Sequence, residues 1–210
     1  MNTELVKWIA DYGVLVIIAA IFLYAAIRLI NMGLGTLSER LSRKKHDNLI
    51  NARLKLSDKI QALIGHYLAI SNASRVSVIE FSNTVMSVAY LPFRYMTCTY
   101  EVHDFGKTAM GHKIDRISTS LFTPFFMKLQ DSKCCVFDIN DKSTLVGGAM
   151  CDLMRSQGEH LALCIGLTTP KGKAIGYIQA TSDDKFDDKD IADIKVLGEQ
   201  IALLLSIEDK

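Results

Sequence analysis

The spacing of apolar and polar residues changes several times along this chain, and each change predicts a different element. Residues 13–27, "GVLVIIAAIFLYAAI", carry no charge, and uncharged residues resume after Arg28 as far as Ser38. A helix over 12–32 would be ~30 Å long, which matches the hydrocarbon core of a bilayer. Trp8 and Tyr12 stand at one end as interfacial anchors, and Arg28 can carry its charge outward to the nearer headgroups. A cleaved signal peptide is the competing reading. The leading region holds only Lys7, offset by Glu4 and Asp11, and no cleavage pattern follows the apolar core, so the anchor is preferred.

Helical periodicity follows. Leu49, Leu56, Leu63 and Ile70 lie seven apart, and Ile60 and Tyr67 fill the same stripe. Arg53, Lys59 and His66 fall near the seam. The stripe suits a short parallel coiled coil or an N-terminal helix packed on its own domain, and the second reading is preferred.

Beyond "SNAS" the period shortens. "RVSVIEF" and "RYMTCTYEV" are rich in β-branched and aromatic residues in near alternation, as strands are, with Pro92 in the connection between them. "ISTSLFTPFFMKLQ" predicts a helix broken near Pro124, and "KCCVFDI" a strand. "LVGGAMCDLMRSQG" predicts a short helix entered through glycines and closed by Gly158. "HLALCIGLTT" and "AIGYIQATSD" form a hairpin around "PKGK". The last helix begins at an Asp187 or Asp188 cap, has Asp190 in its first turn, and presents Ile191, Ile194, Leu197, Ile201 and Leu205 as its apolar stripe. The chain therefore divides into a transmembrane anchor (1–33), a helical connector (34–70) and a folded domain (71–210). The domain is α+β, an antiparallel sheet flanked by N- and C-terminal helices.

The closing stretch, residues 174–205, resembles the C-terminal third of a GAF domain: a strand with Gly176 in an "IGY" step, a polar turn, Phe186, an acidic cap and the helix "DIADIKVLGEQIALLL". The order of elements is compatible over residues 50–207. The resemblance implies that Phe186 plugs the junction between sheet and helix, and that the last helix packs beside the first on one face of the sheet. It also implies a sensing or dimerisation module with a pocket between the sheet and its connecting loops. Members of the family bind cyclic nucleotides, bilins, haem, amino-acid-like metabolites or nothing, so the resemblance sets no cofactor or ligand.

Composition narrows the partners. Of 210 residues 49% are apolar, which suits an embedded segment, and a net charge of +1 gives no field to gather nucleic acid. Near the apolar run Lys7 stands on one side against Arg28, Arg40, Arg43, Lys44 and Lys45 on the other. The N-terminus is therefore expected outside an inner membrane and the domain in the cytoplasm. Five cysteines, an odd number set in apolar stretches, suit free thiols there. The expected partners are the lipid bilayer, a small molecule, and a second copy or another membrane protein. The chain ends shortly after its last helix, so a signal would leave through the membrane segment, the connector or a bound partner.

Candidate ligand-binding residues are Tyr100, Phe122, Phe125, Arg155 and Glu159, which fall where a pocket would open. Arg155 could hold a phosphate or carboxylate, but no second cation supports it and a solvated helix cation is preferred. Phe122 and Phe125 count first as packing. Cys134 and Cys135 suggest thiol redox chemistry of the free methionine sulfoxide reductase type. Adjacent residues on a strand face opposite sides, so a partner such as Cys98, Cys151 or Cys164 would be required. His103, His112 and His160 lack metal-ligand spacing. No catalytic residue is assigned. A membrane-anchored sensor is preferred, with a ligand-free membrane tether as the first alternative and the reductase as the second.

Overall fold

The computed structural model describes residues 22–24, 27–28, 51–82, 91–141 and 146–206. The chain forms two compact units, Met1–Leu54 and Lys55–Lys210. In the first unit, residues 22–24 and 27–28 are helical, and Phe22, Leu23, Tyr24 and Ile27 are exposed. Among the described residues no helix is long and apolar enough to cross a membrane. The run expected to do so, 13–27, lies mostly outside them, as does Leu49 of the connector.

The second unit is built on a six-stranded sheet in which every neighbouring pair is antiparallel. Its strands are β1 (Arg75–Ser82), β2 (Tyr95–His103), β3 (Ile117–Ser118), β4 (Cys134–Asp138), β5 (Leu161–Thr168) and β6 (Ala174–Ser182). Their order is β3-β2-β1-β6-β5-β4, so the first three strands run outward from the centre and the last three run back to it. Among the described residues four α-helices complete the unit: α1 (residues 51–70, in this unit from Lys55), α2 (Thr123–Ser132), α3 (Gly148–Ser156) and α4 (Asp188–Ser206).

Alternation along the strands makes two cores. On one face Ile60, Ile64 and Tyr67 of α1 and Ile194, Leu197 and Ile201 of α4 close over Val76, Val78, Leu163, Ile165 and Ile178. Burying each such aliphatic side chain stabilises the fold by about 1.5–3 kcal/mol. Gly198 lets α4 approach closely, since a Cβ there would lie 2.9 Å from Ile165 Cγ2. The expected stripe lies on this core, with Ile60 and Tyr67 buried and Leu56 and Leu63 half-buried against it, but its register is not strictly heptad. Ile64 is fully buried while Ile70 is 45% exposed, because the helix follows the 3.6-residue turn of a surface it lies on rather than a coiled-coil seam.

The start of α4 is a reciprocal cap. Asp187 Oδ1 accepts from the Asp190 backbone N–H at 2.7 Å, and Asp190 Oδ2 accepts from that of Asp187 at 3.1 Å. Asp190 also accepts from the Asn72 backbone N–H and its Nδ2, at 3.3 and 3.0 Å, which ties the α1–β1 turn to α4. The Tyr67 hydroxyl donates to the Asp190 carbonyl, and burial and then the Asp190 charge hold its phenol protonated well above the usual range. Phe186 packs, half-buried, against this same core, as the family resemblance implies.

The opposite face is covered by α2 and α3. The expected helix with a break at Pro124 is instead a short strand, a 3-10 turn (Thr119–Phe122) and a helix that starts with Pro124 in its first turn, where a missing N–H costs nothing. Residue φ angles set two other junctions. Gly147 (φ +107°) admits α3, and Gly172 (φ +80°) closes the β5–β6 hairpin, with the Thr169 N–H donating to the Lys173 carbonyl at 2.8 Å. At Gly176 β6 comes close to the β1 backbone: a Cβ there would lie 2.2 Å from the Ile79 carbonyl oxygen.

Candidate functional site

The α2/α3 face is aromatic and thioether-rich. Phe125, Phe137, Tyr177, Met96, Met150 and Met154 are all essentially fully buried within it. Phe125 lies 5.2 Å from Tyr177 and 6.1 Å from Phe137 between ring centroids, in edge-on geometries that suit the ring quadrupoles. The Tyr177 hydroxyl meets Met96 Sδ at 3.7 Å, and burial pushes its acidity far outside the usual tyrosine range.

One end of this face is polar. Arg75 opens β1 and points inward, where its Nε donates to Glu159 Oε1 at 3.1 Å and its Nη1 to the Thr108 carbonyl at 3.0 Å and to Glu101 Oε1. Glu101 in turn accepts from the backbone N–H groups of Met110, at 3.0 Å to each oxygen, and of Gly111 at 2.5 Å. A Cβ on Gly111 would meet Glu101 Oε2 at 2.9 Å, so glycine lets the loop wrap the carboxylate.

Two local devices place these carboxylates. In β2 the pairing with β1 slips between Val78 and Ile79, leaving Thr99 as an extra residue. Strict alternation would send Cys98 and Glu101 to opposite faces, whereas the bulge brings both against Gly111. After α3, Gly158 (φ +71°) donates to the Arg155 carbonyl, and Glu159 donates to the Met154 carbonyl, both at 3.0 Å. These are the two bonds of a Schellman turn. The residue after the glycine is usually apolar, and here it is a buried carboxylate.

The five residues expected to line a pocket do not share one site. Phe122 and Phe125 are buried in the aromatic cluster, and Glu159 is the partner of Arg75. Tyr100 is on the other side of the bulge, so it packs beneath α1 with its hydroxyl 3.4 Å from Ser57 Oγ. Arg155 is exposed and pairs with Asp152 one turn away at 3.0 Å. Arg75 and Glu101 were missed. Their only signal was a charged residue at the inner phase of an apolar strand, and the bulge hid that phase for Glu101.

Cys135 and Cys164 sit directly opposite each other on β4 and β5, both on the α2/α3 face, while Cys134 turns to the other core. All five cysteines are free. Burial pushes the Cys98 thiol up to about 12 and that of Cys135 up to about 11, and raises those of Cys134 and Cys164 as well. Such thiols are protonated at neutral pH and make poor nucleophiles. Among the described residues no three His, Cys, Asp or Glu side chains gather as a metal set.

A curled antiparallel sheet closed by terminal helices on one face and by crossing helices on the other is a GAF-like α+β fold. Solved structures with this fold include the cyanobacteriochrome receptor PixJ, 13% identical over 73% of this chain and 97% of that one, with a TM-score of 0.56. The blue-light absorbing PixJ GAF domain of Thermosynechococcus elongatus is 14% identical over 73% and 86%, with a TM-score of 0.58. The phycocyanobilin-bound GAF domain of a cyanobacterial phytochrome is 11% identical over 76% and 90%, with a TM-score of 0.53. At such identities the likeness establishes the fold alone. No family model matches the chain, and no curated protein matches its sequence.

Proposed function

We propose that this chain is a membrane-anchored sensor whose GAF-like domain binds a small molecule against the α2/α3 face of its sheet. The observation that carries the reading is the polar cluster of Arg75, Glu101 and Glu159, buried at one end of an otherwise apolar face. Burying charges costs several kcal/mol per ion before pairing, so a fold that needs only a core has no use for them there. The phycocyanobilin-bound GAF domain named above holds a bilin on the same fold, and an open-chain tetrapyrrole joins cyclic nucleotides, haem and amino-acid-like metabolites as a candidate class.

The anchor rests on the uncharged run at 13–27 and on the exposed Phe22, Leu23, Tyr24 and Ile27, which suit lipid better than water. The excess of cations after the run supports a cytoplasmic domain. Pairing with a second copy uses the exposed apolar residues of α4, Val196 and Leu203. A ligand-free tether is the second reading, favoured by the close packing of Phe125, Phe137 and Tyr177 on the same face. A thiol reductase is disfavoured by the raised thiol pKa values.

Thermal unfolding of the full chain against biliverdin, haem, cyclic nucleotides and amino acids tests the sensor. One compound is expected to raise Tm with the logarithm of its concentration, by about 2.7 kcal/mol of added stability at a hundredfold excess over Kd. Unchanged melting across that panel leaves the tether. A C-terminal alkaline phosphatase fusion should be inactive, and activity would reverse the orientation.

A further inference from the structure

Among the described residues three buried side-chain oxygens have no hydrogen-bond partner in the protein: Glu159 Oε2, Gln179 Oε1 and Thr181 Oγ1. Their residues are 1%, 3% and 0% exposed. Folded interiors pair nearly all such atoms, so three on one face of one sheet form a feature that packing alone does not account for.

The three are neighbours. Thr181 is the register partner of Arg75, whose Nε holds the other oxygen of Glu159. Gln179 lies two residues before Thr181, on the same face of β6. Gln179 and Glu159 also converge on Met154: the Gln179 Nε2 lies 3.3 Å from its Sδ, and the Glu159 N–H donates to its carbonyl at 3.0 Å. Charge is uneven here too. Arg75 is one cation between two carboxylates, and Glu101 also accepts from two backbone N–H groups. The excess negative charge therefore falls on Glu159.

We infer that Glu159 Oε2, Gln179 Oε1 and Thr181 Oγ1 bind a primary ammonium group, whose carbon chain lies along the Met and Phe side chains of the same face. The inference rests on the reading of this face as a ligand site. An –NH3+ group has three donors for three oxygens and one positive charge for the unmatched carboxylate. A divalent cation would need about six oxygens, more than the three on offer. Water supplies two donors and no charge, and a planar guanidinium has five donors, more than the three oxygens can take.

The probe is n-butylammonium chloride, with n-butanol and sodium chloride as matched controls, and the readout is the thermal unfolding of the full chain. The amine is expected to raise Tm with the logarithm of its concentration, with no rise from either control. Glu159→Gln should abolish the response, but it also weakens the hold on Arg75. The decisive variant is Gln179→Met, which leaves both ion pairs in place. Without amine it should melt at or above the temperature of the unaltered protein, since it removes an unsatisfied oxygen, and with amine it should show no rise. Equal rises from n-butanol and n-butylammonium would keep the ligand face and overturn the ammonium assignment. So would an undiminished response in Gln179→Met. Silence toward both probes sinks the inference, and the wider ligand panel then decides separately whether the face binds anything.

Discussion

The two faces of the sheet solve different problems. Beneath α1 and α4 the core is mainly aliphatic, its few polar contacts include the capped start of α4 and the Tyr100–Ser57 hydroxyl pair, and much of its period can be read from the chain. Beneath α2 and α3 the core is aromatic and thioether-rich and ends in buried charges that no stability argument requires. Both faces bury a core, but only the second buries a cluster of charged side chains, which is why the proposed ligand site lies there. Function in such a fold follows the face that departs from plain packing.

The largest test of this contrast is Arg75→Leu. Removing the one cation leaves Glu101 and Glu159 buried without it, a loss of about 3–5 kcal/mol in urea unfolding. A triple change that also replaces both glutamates with apolar residues should recover most of that loss. A neutral Arg75→Leu would mean that the polar end is wetter than its burial implies, and the contrast between faces would fail.

Asp190→Ala comes next and probes the other face. It removes the Asp190 half of the reciprocal cap, leaving the Asp187 side chain on the Asp190 N–H but the Asn72 and Asp187 donors without an acceptor, a cost of about 2–3 kcal/mol. Because the α2/α3 face is untouched, any ligand response should survive at temperatures below the new midpoint. Loss of the response together with the stability would show that the faces are not independent.

Much of the first face was legible and little of the second. The α4 stripe, its Asp187 cap and the β5–β6 hairpin are local patterns, and the structure has them where the chain predicts. In α1 the heptad reading selected Leu63 over Ile64, since two adjacent apolar residues serve either period and only the surface they pack on decides. Tyr100 was misplaced because a one-residue bulge reverses the phase of a strand, and an extra Thr99 has no signature of its own. The pairing of Arg75 with Glu159 spans 84 positions and depends on a glycine turn after α3. No local pattern encodes such a contact.

The thiols give a smaller effect with a definite sign. Folded Cys98 and Cys135 keep their protons up to about 12 and about 11, whereas in the unfolded chain a thiol ionises near its usual value of about 8.5. Above that point the folded state binds more protons than the unfolded one, so stability falls as pH rises. Between pH 8 and pH 10 the loss should be about 2 kcal/mol for Cys135, and Cys135→Ala should show a correspondingly shallower slope. An unchanged slope would place that thiol in contact with water and reopen the reductase reading.

The smallest expected effect separates the aromatic part of the second face from its polar end. Tyr177 is fully buried on β6, and its hydroxyl finds only a thioether sulfur, a weak acceptor. Tyr177→Phe keeps the ring and its edge-on contacts with Phe125, and gives up a hydrogen bond too poor to offset the desolvation of an O–H group. Stability should therefore change by under about 1 kcal/mol in either direction. A larger loss would mean that the hydroxyl belongs with Gln179 in the polar network, two residues along the same strand. The boundary between apolar wall and polar end would then lie one residue pair further into the face, and the ligand pose argued from it would shift by the same step.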